Sequence, residues 1–290
     1  MASRISVWMK GHPLVAYFVL AYALTWLVQL PLILSAQGLL HMRIPPGLHF
    51  LASIGPILAA FIVTGITGGA AGIRELVGRM SHWRVGIGWV LIALFSPAAL
   101  FLIAVVILRI SNGAWPGLSQ FGYVAGLPQL GWLAGWVFHT LTFGFGEETG
   151  WRGFALPRLQ RGRSALSATL ILTVFWALWH LPLFFYKENY MDMGIGGAIG
   201  FFLGMLAGAI VLTWLYNSTN GSILMVALWH GAFNTAIAGA EGGIAAIVST
   251  FIMVGAVIIV LVAKPANLSR SGKFVVPARG ESRVRHPTTA

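Results

Sequence analysis

Eight stretches of mainly apolar residues run through this chain, and their length constrains the fold more than any other feature. They cover roughly residues 14–36, 48–66, 86–108, 130–157, 165–185, 194–216, 222–238 and 244–263. A helix that crosses the hydrocarbon core of a bilayer needs about 20 apolar residues. With 58% hydrophobic and only 9% charged residues, the chain lies outside the composition of soluble globular domains. The sequence therefore predicts an all-α, polytopic membrane protein with about eight transmembrane helices.

The distribution of lysine and arginine supports this arrangement of spans. Alternate connections and tails hold 15 of the 18 Lys and Arg residues, and the other connections hold 3. Because cytoplasmic loops are enriched in these residues, the pattern places both termini and the loops 67–85 and 158–164 in the cytoplasm. We expect a multi-pass protein of a bacterial cytoplasmic membrane. Since topology accounts for the net charge of +11, the charge does not indicate a nucleic-acid partner.

Three regions follow from this layout: a cytoplasmic N-terminus at 1–13, a membrane domain at 14–263 and a tail at 264–290. The tail carries six basic residues and few apolar ones, so we expect it to be disordered and attracted to anionic lipids. Residues 67–85 mix basic and apolar side chains. This predicts either a short amphipathic helix on the inner leaflet or a solvated loop.

Small residues mark one face of the sixth stretch. Gly196, Gly200, Gly204 and Gly208 recur every four residues and therefore share a helix face. In membrane proteins, such a face lets two backbones approach closely. The spacing predicts that this helix packs tightly against another helix.

Two adjacent carboxylates occupy the fourth apolar stretch, although the whole chain has only seven acidic residues. Ionisable groups inside the membrane are costly and usually face a cavity lined by protein. If the segment is helical, Glu148 and Arg152 are four residues apart and share a face, which leaves Glu147 free for chemistry. Gly150 could kink the helix and prevent this pairing. A purely structural ion pair between helices also fits the pattern.

Two histidines and an asparagine lie in the fifth and seventh stretches. His180 and His230 each end an Ala-Leu-Trp-His sequence, and Asn234 follows His230 by one helical turn. Counting the helical rise from the turn near residues 160–163 places Glu147 about 20 Å deep and His180 about 25 Å deep, so they can face each other. This requires the fourth helix to continue through Arg152. Each histidine alone also fits a hydrogen-bonded core position, and we interpret His139 as structural.

These side chains suit the hydrolysis of a peptide bond. A general base must activate water, and Glu147 suits that role. Hydrogen-bond donors must stabilise the tetrahedral oxyanion, for which Asn234 and a histidine are suitable. The absence of cysteine from the chain excludes a thiol nucleophile, a thiolate metal site and a disulfide framework.

At these residues the chain resembles the CPBP family, the CAAX proteases and bacteriocin-processing enzymes, whose pattern is EExxxR, then FxxxH, then HxxxN. Residues 147–152 match the first motif, and residues 230–234 match the third. The second motif departs from the pattern, because Trp176 stands at the aromatic position four before His180. The resemblance covers about residues 130–240 and agrees with a layout of eight spans.

The resemblance implies an intramembrane endopeptidase of the CAAX type, a hydrolase that acts on membrane-associated peptides or protein tails. It implies an essential set of Glu147, His180, His230 and Asn234, with Glu148 and Arg152 as supporting residues. Family members are commonly labelled metalloproteases, and a zinc ion could be held by Glu147, His180 and His230. The resemblance equally permits a metal-free site in which Glu147 and His180 activate water directly, and we favour that reading.

Two other functional classes remain open. Intramembrane Glu and His residues also serve as proton relays, so an ion-coupled or proton-coupled transporter is an alternative. The chain has no second copy of the EExxxR segment of the kind that inverted transporter repeats would provide. An inactive family member that acts as an immunity or scaffold protein is the other alternative, and the intact motifs argue against it. The sequence does not identify the substrate.

Overall fold

The computed structural model describes residues 4–45, 47–118, 121–124, 127, 130–239 and 243–276, and every regular element in them is helical. A membrane-crossing chain must satisfy its backbone polar groups internally, and helices do so within each segment. This confirms the predicted polytopic all-α membrane protein. The α-helices are α1 Arg4–Gly11, α2 Pro13–Ala36, α3 Leu48–Ala52, α4 Gly55–Met80, α5 Ile87–Asn112, α6 Trp132–His139, α7 Gly146–Gly150, α8 Leu156–Leu159, α9 Ala165–Trp179, α10 Glu188–Met191, α11 Gly194–Ser218, α12 Ile223–Ile237 and α13 Ile244–Ala263.

Six of the eight predicted spans are long and apolar enough to cross a membrane: Pro13–Ala36, Leu48–Met80, Ile87–Asn112, Ala165–Phe185, Gly194–Ser218 and Ile244–Ala263. The count of eight is therefore not confirmed. The predicted seventh span is the 15-residue helix α12, whose rise of about 22 Å falls short of a hydrocarbon core about 30 Å thick. The predicted fourth span is divided into five short helical pieces. These two segments carry the EExxxR and HxxxN motifs.

The predicted fourth span is nevertheless one unbroken helical rod from residue 132 to residue 159. Two π-helical turns, Thr140–Phe145 and Trp151–Ala155, separate α6, α7 and α8, and the residues at each junction keep right-handed helical backbone angles. The rod packs closely against its neighbours: a Cβ on Gly144 would lie 2.5 Å from the Ala227 carbonyl oxygen, and one on Gly150 would lie 2.7 Å from that of Pro56. Only glycine allows α12 and α4 to approach the rod this closely.

The predicted amphipathic segment at 67–85 continues α4 instead of forming a separate surface helix. The helix kinks at Gly69, whose φ of 60° favours glycine, and then runs to Met80. Leu76 is buried, and the Arg79 guanidinium turns inward to donate from Nη1 to the Gly153 carbonyl oxygen at 2.8 Å. The basic and apolar side chains of this segment therefore serve protein packing as well as its outer surface.

Residues 264–276, which we call the C-terminal strap, return along the end of the bundle where α11 and α13 finish. The Gln160 side chain donates to the Phe274 carbonyl oxygen at 2.7 Å, and the Asn217 side chain donates to that of Asn267 at 2.8 Å. Leu268 is fully buried. This order differs from the disorder predicted for the whole tail, because buried amides of the bundle supply hydrogen-bond partners for the strap. Residues 277–290 lie outside the described residues.

The glycine face of α11 does not pack as predicted. A Cβ added to Gly196, Gly200, Gly204 or Gly208 would meet no heavy atom of the described residues within 4 Å. The spacing puts these glycines on one face, but that face points away from the neighbouring helices. The prediction of close helix packing at this face was wrong, because the pattern of small residues does not specify a partner.

Candidate active site

The acidic pair lies in α7, between the two π turns, and is buried: Glu147 is 3% exposed and Glu148 is fully enclosed. Arg152 Nη1 donates to Glu148 Oε1 at 2.9 Å, with neither side chain exposed. The predicted pairing four residues apart is thus present, and Gly150 does not disrupt it. His230 Nδ1 approaches the same oxygen at 2.9 Å. Glu148 therefore links the rod to α12.

Glu147 points to a different neighbour, as the spacing predicted. Trp176 of α9 donates from its indole Nε1 to Glu147 Oε2 at 2.9 Å. The same indole ring lies under the Arg152 guanidinium, whose Cζ is 4.5 Å from the ring centroid. Trp176 thereby contacts both the free carboxylate and the arginine that neutralises the other one.

His180 directly follows the end of α9, at the start of the 3-10 turn Leu181–Phe185. Its Nδ1 is 2.7 Å from the Trp176 carbonyl oxygen. Since a carbonyl oxygen can only accept, Nδ1 carries the proton, and Nε2 is left as the basic nitrogen of the neutral ring. The side chain is partly exposed. Its ring stands edge-on to Trp176 at a centroid distance of 5.7 Å.

The third motif is on α12, which begins at a Ser222 cap that accepts from the Met225 backbone N–H. The His230 ring is 7% exposed and stands edge-on to Trp176 at 5.9 Å. Asn234 lies one turn further, is partly exposed and forms no side-chain hydrogen bond with the described residues. Its amide is thus free to bind a ligand.

The structure brings five of the six predicted side chains to one place. Trp176 contacts Glu147, Arg152, His180 and His230, and Glu148 joins them through Arg152 and His230. The sixth, Asn234, shares the α12 face of His230, and its side chain forms no hydrogen bond with the others among the described residues. His139, interpreted as structural, is buried with Nδ1 3.1 Å from Thr235 Oγ1.

Sequence reasoning missed Tyr17. The residue is completely buried, and its hydroxyl lies over the backbone of the rod, 2.4 Å from where a Cβ on Gly150 would sit. The Tyr17 hydroxyl, Glu148 Oε2 and Arg152 Nε have no hydrogen-bond partner among the described residues. A tyrosine in an apolar run carries no sequence signal, and only the packing of α2 against the rod reveals it.

The arrangement does not fit the zinc set that the sequence left open. Among the described residues, no three His, Asp or Glu side chains group closely enough to hold a metal ion. Glu147 turns one oxygen to Trp176, and His230 turns Nδ1 to Glu148. In this arrangement, Glu147, His180 and His230 are positioned by protein hydrogen bonds and not around a common centre.

Two comparisons with known proteins concern this chain. Residues 129–236, which contain all three motifs, match the family model described as type II CAAX prenyl endopeptidase Rce1-like. CAAX prenyl protease 2 of Methanococcus maripaludis is 26% identical over 197 residues, an alignment that covers 65% of this chain and 72% of that protein.

Proposed function

Because this chain belongs to the CPBP family of CAAX-type intramembrane proteases, we propose that it hydrolyses peptide bonds in membrane-associated peptides or protein tails. The observation that supports this most strongly is the meeting of Glu147, His180 and His230 around the buried Trp176. Three ionisable residues from three separate segments, beside a neutralised carboxylate, exceed what packing alone requires.

In the proposed reaction, Glu147 and His180 activate a water molecule. The Glu147 carboxylate takes a proton from the water, and the basic Nε2 of His180 accepts a hydrogen bond from its second O–H. The water oxygen then bonds to the carbonyl carbon of the scissile peptide. This assigns the base to the carboxylate that is not used by Arg152.

Asn234 and His230 are proposed to stabilise the oxyanion that this attack creates. The Asn234 amide has no other partner among the described residues. His230 directs Nδ1–H to the Glu148 carboxylate, so its Nε2 can donate to the oxyanion when the ring carries a second proton and forms an ion pair with Glu148. Oxyanion donors of this kind are typically worth about 3–4 kcal/mol. When the intermediate collapses, the C–N bond breaks and protonated Glu147 returns its proton to the leaving amine.

Glu148 and Arg152 are supporting residues in this proposal. Their ion pair is fully enclosed, and Glu148 orients the His230 ring at 2.9 Å. Neither has to contact the substrate. Their removal is therefore expected to lower the rate through misplacement of His230 and loss of stability.

The decisive experiment replaces Glu147 by glutamine. Glu147→Gln should abolish proteolysis, because an amide cannot accept the proton, with a loss on the order of 100- to 10,000-fold for a general base. Glu148→Gln should only weaken it. The measurement compares new peptide termini in membranes that contain the wild type or each variant, followed by cleavage of an identified peptide by purified protein.

A matched control is Glu75→Gln, because Glu75 also pairs with an arginine four residues on, Arg79, at 2.9 Å. This variant should keep its activity. Equal losses from the Glu147 and Glu148 variants would contradict the assignment of the base. A Glu147→Gln phenotype without any change in peptide termini would favour the transporter reading.

Chelation tests the metal-free form of the mechanism. Purified enzyme dialysed against a chelator should cleave the identified peptide at an unchanged rate, since the proposed steps use only side chains. The control is a zinc-dependent protease treated in parallel. Loss of activity that zinc restores would overturn this part of the proposal.

A further inference from the structure

A second candidate binding site lies at the end of the bundle, apart from the acidic pair. A cavity of about 470 Å³ opens where α5 begins and where α11 and α13 end, and the C-terminal strap forms one side of it. None of the motif residues lines it. Its size falls in the range of small-ligand pockets, about 300–1,000 Å³.

One side of the cavity is apolar and faces the outer surface of the bundle. Trp89 of α5 and Trp214 of α11 pack edge to face at a centroid distance of 5.0 Å. Ile258 and Val262 of α13 are each 54% exposed. Tryptophan is enriched where the hydrocarbon meets the headgroups, so this wall matches the level at which a lipid changes from acyl chain to headgroup.

The other side is polar and carries a cation. The strap contributes Arg270, Ser269 and Ser271, and α11 contributes Ser218. Ser269 Oγ is 2.8 Å from Ser271 Oγ and 3.3 Å from Ser218 Oγ. Arg270 is exposed and forms no ion pair or hydrogen bond with the described residues. Its guanidinium is therefore available to bind an anion.

We propose that this cavity binds one anionic phospholipid. The lipid phosphate lies against Arg270 and the Ser271 hydroxyl, because guanidinium binds phosphate through charge-assisted hydrogen bonds. An acyl chain follows Ile258 and Val262, past the two tryptophans. Basic pockets between transmembrane helices recognise anionic headgroups in this way. A free phosphate ion would use the polar side alone and would leave the apolar wall without a role.

The test uses the full-length protein in detergent, with retained lipid counted by native mass spectrometry after addition of phosphatidylglycerol or phosphatidylcholine. The wild type should retain one phosphatidylglycerol more tightly than phosphatidylcholine. Arg270→Gln should weaken phosphatidylglycerol binding by about tenfold, the effect of losing one charge-assisted contact. Ile258→Trp, which fills the apolar side without changing charge, should also weaken it.

Lys273→Gln is the matched control, since it removes the same charge from the strap while Lys273 Nζ is turned to the Arg163 carbonyl oxygen. This variant should retain the lipid. Equal losses from Arg270→Gln and Lys273→Gln would show only diffuse attraction and would overturn the proposal. The proposal would also be overturned if Ile258→Trp bound phosphatidylglycerol as tightly as the wild type, or if the wild type bound the two lipids equally. Displacement of the lipid by millimolar inorganic phosphate would overturn it too. Thermal unfolding of each variant separates lost binding from lost folding.

Discussion

Trp176 is the side chain through which the three motifs meet. Its indole N–H holds Glu147, its ring lies under Arg152 and its carbonyl oxygen fixes the proton of His180 on Nδ1. Phenylalanine, the residue in the family pattern, could supply the ring and the carbonyl but not the N–H donor. In this chain, the orientation of the proposed base therefore depends on one indole hydrogen bond.

Trp176→Phe isolates that hydrogen bond, because it keeps an aromatic ring over Arg152. We expect kcat to fall on the order of 10- to 100-fold with little change in KM, since a hydrogen bond to a charged group is worth about 1.5–3 kcal/mol. Trp229→Phe is the control: Trp229 is also buried, and its indole N–H donates to Ser96 Oγ at 3.0 Å, away from the acidic pair. Equal kinetics of the two variants would show that Trp176 acts only through packing.

The enclosed ion pair makes Arg152 important for stability. Arg152→Met should destabilise the fold by about 3–5 kcal/mol, because the Glu148 carboxylate would remain buried without its cation. Adding Glu148→Gln should recover part of that loss. The measurement is denaturant unfolding in detergent micelles. For comparison, Glu75→Gln should cost at most about 1 kcal/mol, because the Glu75 side chain is 29% exposed.

The residue-level predictions succeeded where the interaction is local in sequence. Helical spacing alone pairs Glu148 with Arg152 and turns the Glu147 side chain to another side of the helix. The structure has both features. The partners of Glu147 and His230 come from other helices, at separations of 29 and 82 residues. No spacing rule reaches that far, so the contacts of Trp176 and the packing of Tyr17 against the rod could not be predicted.

At the scale of elements, the continuation of the rod past Arg152 was predicted and its two π turns were not. Helical periodicity fixes which residues can form a helix. A π turn closes its hydrogen bonds five residues back, a choice that depends on the helices packed around the rod. The unmatched glycine face of α11 has the same explanation, since the pattern specifies a face and not a partner.

Two glycines, one tightly packed and one with open space around it, test the packing described for α12 and α11. Gly231→Ala should destabilise the fold by about 1–3 kcal/mol, because the new Cβ would lie 2.6 Å from the Thr140 Cα where α12 crosses the first π turn. Gly204→Ala has open space around it and should be neutral or slightly stabilising through helix propensity. Unfolding midpoints of the two variants provide the comparison. Similar losses at both sites would contradict the packing described for α12.

For the whole molecule, the sequence predicted the membrane class and the positions of six spans. The count of eight spans is not confirmed, because a hydropathy window does not distinguish a helix that crosses the bilayer from one buried among others. The composition of the tail also predicted disorder for all of residues 264–290. Phe274 packs edge-on against Tyr216 and under Arg79, contacts that composition cannot reveal.

Truncation tests the contribution of the strap. Relative to a chain that ends at Val276, a chain that ends at Ala263 should lose several kcal/mol of folding stability. The second truncation removes the buried Leu268 and leaves the Gln160 and Asn217 amides without the strap carbonyl oxygens that they contact. The measurement is thermal unfolding in micelles. Indistinguishable midpoints would mean that the strap contributes little to folding stability.

The first π turn also makes the length of its segment matter as much as its composition. A π turn holds about one residue more than an α turn, so winding Thr140–Phe145 as a plain α-helix with no residue removed would rotate everything after it by about 100° relative to α6. Glu147 would then leave Trp176, and Glu148 would leave His230. A chain with one residue fewer in this segment would therefore keep the same site only by winding the segment as a plain α-helix.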